Sequence, residues 1–299
     1  MKTKISLLSI ACCIAMFSCT KSSDKTTANP VTAPVQTAAK TKYAVNFKLG
    51  KVDVNNGGRV GNKEVAVSEY LHAIFYGAYD SAGHLVSKII QDRREQPFPH
   101  FGEIADSLPE GRYTIVVAAG QGDVAFGDTS RLEALLIGNN LADCFFKKIS
   151  IDVAKTDSIQ SNTLKLDRVT CSLEIRLTDK LPSNIERIGV NIDSLPGLFF
   201  AQTGERIAGS FYNDFPNQPN QAFWLTLYLM SSDKKVRVTV SGYSALNQVV
   251  LKKVIDNVYL RPNTKLVLQG TLSDGIVDNN GSMVITIDPD YPETNTINF

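Results

Sequence analysis

Between Tyr43 and Ile287 the chain runs as short stretches of alternating apolar residues, each closed by Gly, Asn, Asp, Ser or Pro. Alternation with period two marks a half-buried strand, and closely spaced turn residues keep each strand short. Tyr43, Val45, Phe47 and Leu49 form the first run. Leu71 to Tyr79 and Leu85 to Ile90 form a hairpin across Asp80-Ser81-Ala82-Gly83, where Gly83 is free to take positive φ. Phe101 to Leu108 leads into the turn Leu108-Pro109-Glu110-Gly111. Tyr113 to Ala119 then runs as a strand with Tyr113, Ile115 and Val117 on one face. Further strands are expected over Phe145 to Val153, Ser161 to Leu166, Cys171 to Leu177 and Arg187 to Ile192. The last ones are expected over Phe223 to Met230, Val236 to Tyr243, Val249 to Ile255, Val258 to Gln269 and Met283 to Ile287.

One helix is expected. Ser130-Arg131-Leu132-Glu133 has the capping-box spacing, Ala134 to Ile137 continues it, and Gly138 stops it. Many short strands beside one short helix make the chain all-β, and βα units would need alternating helical segments that are missing. A Leu-Pro-Glu-Gly turn feeding an aromatic-led strand is common in transthyretin-like sandwiches. The expected fold is therefore two antiparallel transthyretin-like β-sandwich domains, residues 43–165 and 166–299.

The N-terminus reads differently. Lys2 and Lys4 precede an apolar run from Ile5 to Phe17, followed by Ser18 and Cys19. This is the order of a secretory signal peptide, and the run is shorter than the ~20 residues that span a bilayer. A small residue directly before Cys19 resembles a lipobox, which makes residues 1–18 the signal and Cys19 the acylated residue. Cys12 and Cys13 sit inside the apolar run and are passed over. Residues 19–42 are Thr, Ser, Ala, Lys and Pro with almost no large apolar side chain. Such a segment cannot build a core and serves as a tether reaching roughly 25 Å from the lipid.

A search for chemistry returns little. The net charge of +1 gives no electrostatic footprint for nucleic acid. His72, His84 and His100 form no metal or nucleophile motif, and no metal site, cofactor or catalytic residue is expected. Asp80, Asp106, Asp193, Asp214 and Asp274 fall on expected turns without a spacing that pairs them. Cys144 and Cys171 flank apolar strand residues, so a disulfide and two buried thiols are both open. Trp224, the single tryptophan, reads as a core residue of its strand. Tyr212, Tyr243 and Tyr259 are the aromatics left for a glycan surface. Ser81, Ser107, Ser158 and Ser194 each stand in an Asp-Ser-aliphatic triplet, which resembles the O-glycosylation acceptor of exported Bacteroidota proteins. The plainer reading is that Asp and Ser begin turns.

Together these residues resemble the fimbrillin-type proteins of the Bacteroidota. The resemblance rests on the lipoprotein signal, Tyr79-Asp80 at the hairpin, and Phe101-Gly102 ahead of Leu108 to Tyr113. It continues through Leu166-Asp167-Arg168-Val169 opening Leu173-Glu174-Ile175 and closing on Asp179 and Pro182. Val258 to Asn263, Leu268-Gln269-Gly270 and Val284 to Asp288 complete it, with Tyr291 where Trp is frequent. It covers most of residues 43–299 and implies fimbrial shaft, tip or anchor subunits joined by strand addition. The anchor lipoproteins, which hold a fimbria to the outer membrane, are the most similar branch. The family also implies cleavage after an arginine in the N-terminal loop, for which Arg59 is the candidate; a plain loop arginine is the alternative. The competing function is a glycan-binding surface lipoprotein of an uptake system.

Overall fold

The structure, a computed structural model, describes residues 40–54, 63–95, 99–218, 221–232, 234–273 and 284–287, all within one compact unit. β1 (Lys42–Leu49) is followed by the paired β2 (Val52–Val54) and β3 (Lys63–Val65), and by one helical turn, α1 (Val67–Tyr70). β4 (Ala73–Tyr79), β5 (Leu85–Asp92), β6 (Glu103–Pro109) and β7 (Gly111–Gly120) come next. Then come β8 (Val124–Phe126), β9 (Leu136–Asn139), β10 (Cys144–Val153), β11 (Gln160–Leu164) and β12 (Asp167–Arg168). A three-stranded sheet, β11-β1-β6, packs on a five-stranded sheet, β12-β10-β7-β4-β5. Val45, Phe47 and Ile104 from the first meet Ile74, Tyr76, Ile115, Val117 and Phe145 from the second.

The second half supplies β13 (Thr170–Leu177), β14 (Arg187–Asp193), β15 (Leu198–Phe200), β16 (Arg206–Ile207) and β17 (Ser210–Pro216). It ends with β18 (Phe223–Met230), β19 (Val236–Tyr243), β20 (Val249–Val258), β21 (Lys265–Gly270) and β22 (Val284–Ile287). Sheets β18-β13-β21-β22 and β17-β14-β19-β20 enclose a core that includes Leu173, Ile175, Ile188, Val190, Val238, Val240 and Leu268. Most pairings are antiparallel, as expected, and each half adds one parallel pair, β1 with β11 and β13 with β21. A further sheet, β16-β15-β9-β8, takes strands from both halves. Beneath it Phe75, Val116 and Ala118 meet Leu135, Ile137, Phe199 and Met230.

The organising turn is built from its side chains. Asp80 Oδ1 accepts the amides of Ala82 and His84, both at 2.9 Å, and Gly83 takes φ 77°. Pro109 ends β6 and Gly111 starts β7, and the Tyr113 hydroxyl donates to the Pro109 carbonyl at 3.0 Å. Tyr113, Ile115 and Val117 face the core between the two sheets. The opposite face of β7 is buried too, under the sheet shared by the two halves.

Three expectations are corrected. The helix over Ser130 to Ile137 is a 3-10 turn, Leu132–Ala134, followed by β9. Its backbone is used elsewhere: the Leu132 amide donates to Gly83, and the Ser130 carbonyl accepts from Leu85. Glu133 pairs with Arg131 at 2.8 Å instead of closing a capping box. Val258 to Gln269 is two strands rather than one, because Arg261-Pro262-Asn263 turns the chain and Asn263 takes φ 55°. Pro262 has no amide to offer a ladder. Trp224 lies on β18, an edge strand, and is 69% exposed, so it is not a core residue.

A buried ion pair sits where the chain passes from one half to the other. Asp143 Oδ2 lies 2.8 Å from Arg168 Nη2, with side chains 0% and 6% exposed respectively. The same carboxylate accepts from the Tyr70 hydroxyl at 2.8 Å and the Thr170 hydroxyl at 2.6 Å. Two substitutions separate the two kinds of cohesion. Ile115→Ala should cost about 2–5 kcal/mol by leaving a cavity in the fully buried face. A loss below roughly half a kcal/mol in urea unfolding would mean that the site collapses around the smaller side chain. Asp143→Ala should cost about 3–5 kcal/mol, because Arg168 is then buried without this carboxylate. Chemical denaturation reads both, and a near-neutral Asp143→Ala would show that water reaches the pair.

Candidate functional site

β1 is the central strand of its three-stranded sheet. It lies between β11 and β6, with Val45 opposite Gln160 and Phe47 opposite Ile104. Val45, Phe47 and Leu49 enter the core, and the Phe47 ring lies 5.4 Å from that of Tyr76. Were β1 taken out, β6 and β11 would face one another across about 9.5 Å, two strand spacings. The slot would have two rows of unpaired backbone groups and an apolar floor. The seam beside it is closed by side chains: Tyr76 and Ser87 both donate to Asp106 at 3.0 Å, and Gln91 Nε2 donates to the Glu103 carbonyl at 2.8 Å.

Cys19 and Arg59 lie outside the described residues, the latter in the stretch of chain between β2 and β3. The four serines are all exposed: Ser81 on the β4–β5 turn, Ser107 on β6, Ser158 after β10 and Ser194 after β14 at φ 62°. Three of the four preceding aspartates have structural partners. Asp80 holds its turn, Asp106 takes Tyr76 and Ser87, and Asp193 accepts from Asn191 at 2.8 Å. His84 and His100 are exposed beside Asp80 and Glu103 respectively, and His72 is half-buried. Among the described residues no group of three or more His, Cys, Asp or Glu is placed to hold a metal. None of the described helices is long and apolar enough to cross a membrane.

Cys144 and Cys171 are free and buried. Burial pushes both thiols up to about 12, so neither is poised to react.

The aromatics are distributed over different sheets. Trp224 is exposed on β18 with the Arg176 guanidinium 5.4 Å from its ring. On the outer face of β17-β14-β19-β20, Tyr212 is 54% exposed and its hydroxyl donates to Asp214 Oδ1 at 2.5 Å. That bond is the main reason the phenol is pushed up to about 12. Arg187 pairs with Asp214, donates to Asn247 Oδ1 at 2.9 Å and stacks 4.3 Å from the centre of the Tyr243 ring. The ring crosses Gly189, where a Cβ would meet Tyr243 Cε2 at 2.6 Å. Sequence reading left Arg187 and Asn247 unconnected to Tyr212, because they come from different strands and a hairpin loop. The one local signal was a glycine inside an apolar strand, which marks close approach.

No family model matches the chain, and no curated protein matches it by sequence. Solved structures share its fold. A candidate polysaccharide-binding protein from Bacteroides thetaiotaomicron aligns with TM-score 0.57 at 14% identity, covering 85% of this chain and 98% of that one. A candidate adhesin from Bacteroides ovatus gives 0.54 at 13% identity, covering 81% and 94%. The fimbrial anchor protein Mfa2 from Porphyromonas gingivalis gives 0.53 at 10% identity, covering 85% and 100%. The chain has the β-sandwich fold of these surface proteins from end to end of theirs.

The thiols give a direct test of the core. A maleimide reagent should label Cys144 and Cys171 only after unfolding, and a reductant should leave the melting temperature unchanged. Labelling of Cys144 or Cys171 in the native protein within minutes, located by peptide mapping, would place that thiol at the surface.

Proposed function

We propose that this protein is a structural or adhesive cell-surface lipoprotein, a fimbrial anchor or minor subunit. Acylation of Cys19 would hold it in the outer membrane, with residues 19–42 as the tether and residues 43–165 and 166–299 as its two sandwiches. Neighbouring subunits would join by strand addition, and the role is non-enzymatic. The observation that carries this reading is the position of β1. An N-terminal strand completes the first sandwich from its middle, so the sandwich is designed around one separable extended segment. Main-chain hydrogen bonds and alternating apolar side chains would hold a donated strand there as they hold β1. The shared fold with a fimbrial anchor supports the same reading.

Cleavage after Arg59 would release β1 and detach the domain from its lipid. A shaft subunit gains a binding slot by that cut, whereas an anchor loses its membrane. An anchor therefore keeps residues 19–59 and receives its neighbour at another edge. The exposed Ser81, Ser107, Ser158 and Ser194 are the proposed O-glycosylation positions.

A second reading, a glycan-binding lipoprotein of an uptake system, draws on the exposed Tyr212 cluster and on the fold shared with a candidate polysaccharide-binding protein.

Mass spectrometry of the protein recovered from cells tests the anchor. An acylated Cys19 on an otherwise intact chain is expected, with added hexose mass on at least one of the peptides carrying Ser81, Ser107, Ser158 and Ser194. Cys19→Ala should leave the protein soluble or unprocessed in the periplasm. A mature N-terminus at Val60 would overturn the anchor assignment and make this a shaft or tip subunit.

A further inference from the structure

We propose that the outer face of the sheet β17-β14-β19-β20 binds a neutral glycan, with a pyranose ring stacked on Tyr212 and its hydroxyls taken by Asp214, Arg187 and Asn247. The inference rests on the glycan-binding reading above and deepens it, naming the face and the class of glycan, and it is independent of fimbrial assembly. It concerns what the second sandwich contacts, and it stands whether or not Cys19 is acylated or β1 is exchanged.

Four features of this face lead there. Tyr212 leaves 54% of its surface to water, and a flat exposed ring is the surface on which the C–H face of a sugar packs. Beside it stand a carboxylate, a guanidinium and an amide, each able to engage two hydroxyls in one plane. These groups are held before any ligand arrives. Arg187 is fixed by Asp214, by Asn247 and by the Tyr243 ring, so binding would cost little side-chain freedom. Gly189 keeps the centre of the face low enough for the Tyr243 ring to lie across it.

Charge sets the class of ligand. Arg187 and Asp214 neutralise one another, and further along the same face Arg237 and Asp256 do likewise at 2.6 Å. Exposed Lys252 lies on the same face and is balanced in number by Asp193, so the face has no net charge to favour an acidic sugar, whereas a neutral hydroxyl can share a paired carboxylate. Stability alone does not account for the cluster, because exposed ion pairs add little.

The full-length chain, purified in detergent micelles, is titrated calorimetrically with cellohexaose, laminarihexaose and mannohexaose, and with polygalacturonate as the acidic comparison. Saturable binding of at least one neutral hexasaccharide is expected. Tyr212→Ala should weaken it about tenfold, the loss of one stacking contact, with an unchanged thermal melt. Asp214→Asn should also weaken it, and Trp224→Ala, on the other sheet, should not. No neutral binding at millimolar concentration, binding of the acidic polymer only, or binding indifferent to Tyr212→Ala overturns the proposal. None of these results bears on the N-terminal mass, so the anchor reading and this one fail separately.

Discussion

The joint between the two halves depends on one buried carboxylate. Asp143 gathers Arg168, Tyr70 and Thr170, and its own carbonyl accepts from Gln121 at 2.9 Å. Arg168 in turn stacks 5.2 Å from the Phe145 ring and reaches Asn263 Oδ1 at 3.3 Å, in the turn between β20 and β21. Desolvation beside this carboxylate drives the Tyr70 phenol far above its usual range, so it stays a donor. Enclosing a carboxylate and a guanidinium costs several kcal/mol per ion unless their geometry is well satisfied. Here both carboxylate oxygens have partners, and those partners belong to α1, to β12 and to the start of β13. The network therefore ties together segments that no single sheet connects.

Around that joint the two cores repeat one arrangement. Each has two facing sheets, and each contains one parallel pair formed by strands far apart in sequence, β1 with β11 and β13 with β21. Parallel neighbours cannot be joined by a tight turn. The early strand of each pair must wait for a partner many residues later. In the first sandwich that early strand is also the first described one, paired on both sides, with Val45, Phe47 and Leu49 in the core and Lys48 3.0 Å from Glu103.

Much of this was legible because strand patterning is local. Phe223 to Met230 and Val236 to Tyr243 have the expected bounds, and the inward face of β7 is the one that alternation marks. Where reading failed, distant contacts decided. Ser130 to Ile137 satisfies helical spacing, yet its backbone completes the β4–β5 turn and its Leu135 and Ile137 enter the core shared by both halves. β17, with Asn213 and Asp214 in its middle, offers too little apolar alternation to stand out. Trp224 looked buried because its neighbours are apolar, but Phe223, Leu225, Leu227 and Leu229 take the core face of β18 and alternation puts Trp224 on the outer one. Parallel pairing leaves no local mark at all. Of the candidate residues, the exposure of Ser81, Ser158 and Ser194 could be expected from their turn-forming triplets, whereas Ser107 lies inside β6 and faces out by strand alternation. The convergence of Tyr212, Asp214, Arg187 and Asn247 could not, since sequence separates them by up to 60 residues.

The edges of the second sandwich are unequal, and the reason lies in single side chains. β20 is a ten-residue strand at the end of its sheet, the kind of edge that invites another chain. Leu251, Lys253 and Ile255 alternate toward the core along it, and Lys253 is only 5% exposed. Its Nζ is buried and has no hydrogen-bond partner among the described residues. An inward-pointing charge on an edge strand is a known device against edge-to-edge pairing. A strand laid against β20 would enclose that ammonium further and deepen a cost already present. The slot occupied by β1 has the opposite character, since Val45, Phe47 and Leu49 are what it buries. Among the described residues the fold thus penalises a newcomer at the longest edge strand of the second sandwich, while the middle of the first is filled by the alternating apolar β1.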